Sequence, residues 1–152
     1  MKRTLAGLLC ASLLCSFATA NTEYSHDLEK AKKEAAKSGK LIVVDFYTTW
    51  CGPCKQMDRD VFQSAEAKTI FKDVIVVKQD CEKEGTASSQ KYKVTAYPTL
   101  HVIKADGKTV LMTVGGLDKT MMKEFLAEAK KRATKKAAPK PGSPKPGTKR
   151  IG

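Results

Sequence analysis

Apolar and polar positions alternate between two kinds of segment along residues 25–130. Leu41-Ile42-Val43-Val44-Asp45-Phe46-Tyr47 and Val74-Ile75-Val76-Val77-Lys78 are almost unbroken apolar runs of strand length. Runs too apolar to alternate predict strands covered on both faces. Leu100-His101-Val102-Ile103 and Thr109 to Val114 read as two more strands, joined by the hairpin signal Ala105-Asp106-Gly107-Lys108. Helical spacing fills the gaps. Leu28, Ala31, Ala35 and Ala36 mark one face of a helix capped by Ser25, running through Lys37 and ended by Gly39. Lys55 to Phe62 is helix-competent, Ser64 can cap a piece from Ala65 to Phe71, and Thr86 to Tyr92 reads as a short helix. Asp118 can cap a last helix whose apolar face holds Met121, Met122, Phe125, Leu126 and Ala129, with the methionines as core filler. Strands interleaved with helices predict an α/β fold.

The two ends follow other rules. Lys2 and Arg3, an apolar run from Leu5 to Ala18, and Ala18-Thr19-Ala20 have the layout of a cleavable secretory signal over residues 1–20. The run falls short of the ~20 apolar residues that a membrane span needs. The signal predicts export, periplasmic or, alternatively, through a eukaryotic secretory route. At the other end, residues 133–152 lose the periodic pattern and twice read Pro-Lys-Pro-Gly, which predicts a disordered basic tail. Of the net charge of +12, nine positive charges fall between Lys130 and Arg150 with no acid among them. Without these and without Lys2 and Arg3, residues 21–129, most of the domain expected over residues 21–132, are close to neutral. Weak contact of the tail with an acidic surface is one expectation. No aromatic residue interleaves with its charges, so specific nucleic-acid binding has no stacking platform.

Candidate chemistry sits where the first strand ends. Trp50-Cys51-Gly52-Pro53-Cys54-Lys55 delivers two cysteines to a helix start, and Pro53 fits the first turn. Cys51 then faces unpaired backbone N–H groups and the positive end of the helix dipole, which favour the nucleophilic thiolate. Removal of the signal leaves Cys51, Cys54 and Cys81, an odd number that suits one redox pair and one extra thiol. Asp45 is anomalous in a buried strand, since an unpaired buried carboxylate is costly. Lys78 reads by default as a strand-end charge reaching water, Cys81 as a small buried hydrophobe, and His101 as a surface or edge residue. His26 reads as a solvated first-turn residue.

The motif Trp50-Cys51-Gly52-Pro53-Cys54-Lys55 resembles the active-site signature of thioredoxins. Asp45, Lys78, Tyr97-Pro98-Thr99 and Val114-Gly115-Gly116 have counterparts there in the same order, over roughly residues 40–129. The resemblance implies a central mixed sheet of four strands flanked by helices, without the extra N-terminal strand of full thioredoxins. It further implies a Cys51–Cys54 redox disulfide and a proton-relaying Asp45 with Lys78 beside it. Pro98 would be cis, and Trp50, Gly52, Pro53, Tyr97, Pro98 and Gly115 would form the substrate surface. Cys81 would lie on that surface's rim, where a third redox thiol is the alternative to a buried one.

These features imply a thiol–disulfide oxidoreductase that reduces protein or small-thiol disulfides, needs no cofactor or metal, acts as a monomer and is recycled by a separate electron donor. Met57-Asp58-Arg59-Asp60-Val61-Phe62 is similar to the thioredoxin-like domains of periplasmic disulfide-interchange proteins, which points to a membrane donor of that kind. Two alternatives stand beside this reading. One is an oxidase or isomerase using the same cysteines. The other is a metal-binding or adaptor module, for which Cys51, Cys54, Cys81 and His101 are nominal zinc ligands.

Overall fold

The computed structural model describes residues 23–135; the expected signal and nearly all of the expected tail lie outside these residues. The elements are α1 (Leu28–Ser38), β1 (Leu41–Tyr47), α2 (Gly52–Met57), α3 (Ala67–Ile70), β2 (Val74–Asp80), α4 (Thr86–Lys91), β3 (Thr99–Ile103), β4 (Thr109–Val114) and α5 (Lys119–Thr134). The four strands form one sheet in the order β2-β1-β3-β4. β1 and β2 are parallel, whereas β3 runs antiparallel to β1 and β4 antiparallel to β3. The sheet is thus mixed and four-stranded, as expected. Ser25 adds a single parallel bridge to Val77 on the outer side of β2.

Side-chain alternation divides the core between the two faces of the sheet. Val43, Val74, Val76, Leu100 and Val102 pack beneath Met57, Val61, Phe62, Met122 and Leu126 from the α2 and α5 side. Ile42, Val44, Phe46, Ile75 and Val77 pack against Leu28, Ala31 and Ala35 of α1 on the other side. The central strand β1 is covered on both faces, which is why its sequence shows no polar alternation. Asp45 shares the parity of Val43, so its carboxylate points into the layer under α2.

Several boundaries differ from the sequence reading. Asp27, not Ser25, caps α1, accepting from the Lys30 N–H at 2.8 Å. Ser25 is drawn to the β2 edge instead, and its Oγ accepts from Asp27 N–H. Gly39 does end α1 in a left-handed conformation, at φ 71°. Ala36 faces solvent, being one position past the stripe set by Ala31 and Ala35. The piece after Ser64 shrinks to Ala67–Ile70, because Ser64 Oγ turns back to the Val61 carbonyl. α2 widens into a π-helical stretch, Asp58–Phe62, and α5 runs through Thr134, past the expected domain end at residue 132. Met122 is core, but Met121 is exposed on the α5 surface. His101 is buried because β4 covers the flank of β3; its ring packs edge-on against Phe46, and Nδ1 lies 3.2 Å from Thr109 Oγ1.

Candidate active site

The site forms where β1 gives way to α2. Cys51 is the N-cap of α2, in extended conformation, and its Sγ accepts from Cys54 N–H at 3.2 Å. Pro53 lies in the first turn, where its missing N–H leaves no ladder bond unmade. Cys51 and Cys54 are joined in a disulfide, with Cα atoms 5.3 Å apart. Both cysteines are largely buried, whereas Trp50 beside them is 66% exposed.

Below the pair lies a buried charge cluster. Asp45 and Lys78 are register partners on adjacent strands and point to the same face. Lys78 Nζ is 3.2 Å from Asp45 Oδ2 and also donates to Asp58 Oδ1. The Lys78 side chain is only 11% exposed, with its ammonium 4.5 Å from the Phe62 ring centroid and 5.1 Å from that of Tyr47. The strand-end reading of Lys78 therefore fails. β2 continues to Asp80, so Lys78 is an interior position, turned inward with Val74 and Val76. Asp45 is 1% exposed, and its Oδ1 has no hydrogen-bond partner among the described residues. Burial pushes its carboxyl up to about 6, although Lys78 opposes the shift. A cavity of about 310 Å³ opens beside this cluster, lined by Thr48, Cys54, Lys55, Asp58 and Lys78, so that Cys54 and Lys78 border one space.

Around the disulfide runs an open rim. Trp50 packs edge-on against Tyr97, with centroids 6.0 Å apart, and its indole N–H donates to Glu82 Oε1 at 2.9 Å. The Tyr97–Pro98 bond is cis, and Pro98 marks the entrance of β3. The Pro98 carbonyl accepts from Gly115 N–H at 2.8 Å. Gly115 has φ 99°, which a side chain would strain. Gly116 follows, and a Cβ there would lie 3.7 Å from the Pro53 carbonyl oxygen. Three separate segments meet here: Trp50 touches Tyr97, Pro98 is hydrogen-bonded to Gly115, and Gly116 approaches Pro53.

Sequence reasoning missed Asp58 and Glu82. Asp58 lies four residues after Cys54, the helical spacing that places it on the same side of α2, and that signal was readable. Glu82 gave none, because a lone surface acid becomes notable only once Trp50 is seen against it. Cys81 is buried on the opposite side of β2 from Lys78, at 8% exposure, with its N–H on the Tyr47 carbonyl. Burial raises its thiol pKa. The nominal zinc ligands are not brought together: two are in the disulfide, and among the described residues no three His, Cys, Asp or Glu side chains group as a metal site.

The sequence model of the thioredoxin family matches residues 16–128. The chain belongs to the thioredoxin family. It is 33% identical over 100 residues to Thioredoxin-1 of Drosophila melanogaster, covering 66% of this chain and 89% of that protein. The thiol:disulfide interchange protein DsbD of Pseudomonas sp. (strain JR1 / K1) is 34% identical over 83 residues, which span 53% of this chain but only 14% of DsbD. Among solved structures, the thioredoxin NaTrxh of Nicotiana alata superposes with a TM-score of 0.53 at 34% identity, covering 70% of this chain and 96% of that one. With its Cys-Gly-Pro-Cys pair, this thioredoxin-family chain is a thiol–disulfide oxidoreductase.

Proposed function

We propose that this protein is an exported reductant of substrate disulfides, with Cys51 as nucleophile and Cys54 as resolving thiol. The observation that carries the assignment is the N-cap position of Cys51, whose sulfur receives the Cys54 N–H at the start of α2. In the reduced enzyme the Cys51 thiolate attacks one sulfur of the substrate disulfide. A mixed disulfide forms, and the other substrate sulfur leaves as a thiolate. Cys54, deprotonated, then attacks Cys51 Sγ; the mixed disulfide breaks, the second substrate thiolate leaves, and the enzyme is left as the Cys51–Cys54 disulfide. Two electrons pass from enzyme to substrate, and each departing thiolate takes up a proton.

Asp45 is the group that takes the Cys54 proton, directly or through the neighbouring cavity, and Lys78 moderates its basicity. A carboxyl titrating near pH 6 can accept a proton at neutral pH better than an ordinary one can. Trp50, Tyr97, cis-Pro98 and Gly115 form the surface on which an extended substrate segment lies. A separate dithiol donor, of the kind that a membrane-bound thiol:disulfide interchange protein would provide, returns the pair to its reduced state.

Equilibration with glutathione and subsequent thiol trapping tests the direction. A potential near the thioredoxin value of about −270 mV is expected. A value near the strongly oxidising end, about −120 mV, would make the protein a source of disulfides instead. Fractionation of cells expressing the full chain tests export.

A further inference from the structure

The end of the sheet remote from the cysteines carries a feature that the redox chemistry does not use. Here α1 and α5 finish, β1 and β2 begin, and β3 turns into β4. One open pocket of about 550 Å³ lies among them, and Lys40, Lys104 and Lys130 line it. Between the charges its lining is mostly alanine and glycine, with Ser38, Leu41 and Thr134 the other uncharged side chains. Lys37, Lys72 and Lys135, each next to or near a lining residue in the chain, are exposed. The pocket's acid, Asp73, is held by Lys130 at 2.7 Å, and Lys40 Nζ is anchored on the Lys72 carbonyl at 3.1 Å. Helix C-termini attract cations, which accounts for one or two lysines but not for this excess. Beyond α5 the chain goes on with Lys136, Lys140, Lys145, Lys149 and Arg150 and no acid. By contrast, the cysteine end mixes signs, with Lys55, Lys83 and Lys119 among Asp58, Asp60, Glu82 and Asp118.

We infer that this basic pole is a docking surface for an anionic lipid bilayer. Protein partners are gripped by Trp, Tyr and Arg anchors in fitted pockets, and the pocket lining has none of these. Single-stranded nucleic acid needs aromatic platforms, which the lining and residues 130–152 also lack. Spread lysines over a lining of mostly alanine and glycine suit a continuous sheet of phosphate headgroups, where each adds to binding without needing a partner of fixed position. The geometry also fixes orientation. β1 spans seven residues, so the pole lies roughly 20 Å from the start of the cysteine loop. A protein resting on this pole keeps Trp50 and the disulfide turned away from the bilayer.

The test is co-sedimentation of residues 21–152, which lack the apolar run 5–18, with phosphatidylcholine vesicles containing or lacking phosphatidylglycerol. Binding to the anionic vesicles alone is expected, with release as salt rises from roughly 0.1 M to 1 M and the screening length falls from about 10 Å to 3 Å. Lys40→Gln, Lys104→Gln and Lys135→Gln together should weaken binding about a hundredfold, since each lysine near such a surface is worth roughly fivefold. Turnover of a small soluble disulfide should be unchanged by that triple variant and by added vesicles. Circular dichroism confirms that the variant is folded. If it is not, Lys37→Gln with Lys135→Gln, both at exposed positions, replaces it. Binding lost only on substituting Lys136, Lys140, Lys145 and Lys149 would overturn the folded pole as the docking surface. Retention on heparin without vesicle binding would overturn the bilayer as partner, as would vesicle binding that inhibits turnover.

Discussion

Two cysteines lie at the carboxyl ends of neighbouring parallel strands and have opposite surroundings. Cys51 comes a short turn after β1 and caps a helix, and its sulfur meets a backbone N–H. Cys81 directly succeeds β2 and donates its own N–H to the β1 terminus, but its side chain goes into the α1-side core. There burial raises its pKa, and Asp80 and Asp45 add to the effect. A sulfur at a helix start is stabilised as an anion; a sulfur in an apolar layer is stabilised as a thiol. The strands bring both thiols to one end of the sheet, and the segment after each strand gives them opposite surroundings.

The largest effect should come from loss of the first. Cys51→Ser is expected to reduce disulfide turnover to background, roughly 10³-fold or more. Cys54→Ser should instead accumulate a mixed disulfide with substrate, visible as a mass adduct released by dithiothreitol. A Cys51→Ser, Cys54→Ser variant that still turned over would move the nucleophile to Cys81 and reverse the comparison.

Asp45 comes next. Asp45→Asn should slow the resolving step about 10²-fold, the lower end of what a positioned proton acceptor contributes, and abolish any rate dependence on a group titrating near pH 6. Stability should move the other way. The carboxyl has a higher pKa folded than unfolded, rising from 3.8 to about 6, so the native state binds the extra proton in that interval. Stability therefore falls as pH rises from about 4 to about 6 and stays reduced above it. Asn removes that penalty. A gain of about 1–3 kcal/mol at pH 7, vanishing below pH 4, is expected in urea unfolding. No gain at pH 7 would mean that the Lys78 pair already offsets the burial.

A smaller pair of opposed shifts probes the cation between two carboxylates. Lys78→Met removes the positive charge that holds the Asp45 carboxyl down, so the pH limb of turnover should move up. Asp58→Asn removes a negative charge that pushes the same carboxyl up and leaves Lys78 to Asp45 alone, so the limb should move down. A shift of about a unit or less is expected for Asp58, which is 38% exposed and so partly screened. Equal directions in the two variants would rule out Lys78 as the shared partner.

Much of this arrangement was legible in the sequence because it is local. The Cys-Gly-Pro-Cys turn, the cap at Asp118, Gly39 and the unbroken apolar run of β1 each carry their cause within a few residues. Lys78 and His101 were harder for one physical reason: burial belongs to neighbours distant in sequence. Parity alone puts Lys78 inward, but only with β2 known to extend to Asp80, and only with Asp45 and Asp58 there to receive it. His101 reads as polar and edge-like until β4 and Tyr92 close over it. Asp58 is an intermediate case: its spacing from Cys54 was readable, but its pairing with Lys78 shows only once the buried ammonium is in view.

The smallest expected effect concerns the second cysteine. Cys81→Ser should leave turnover of a small disulfide within about twofold of the parent, because the thiol is buried in the α1-side core with Tyr97 packed against it rather than on the open rim. Native residues 21–152 with the Cys51–Cys54 disulfide intact should resist iodoacetamide, and denaturant should expose one reactive thiol. Rapid alkylation in the native state, or loss of a disulfide-linked dimer on substitution, would place Cys81 among the redox-active groups. The contrast between the two strand ends would then rest on partner and timing, since burial alone would no longer keep this sulfur out of the exchange.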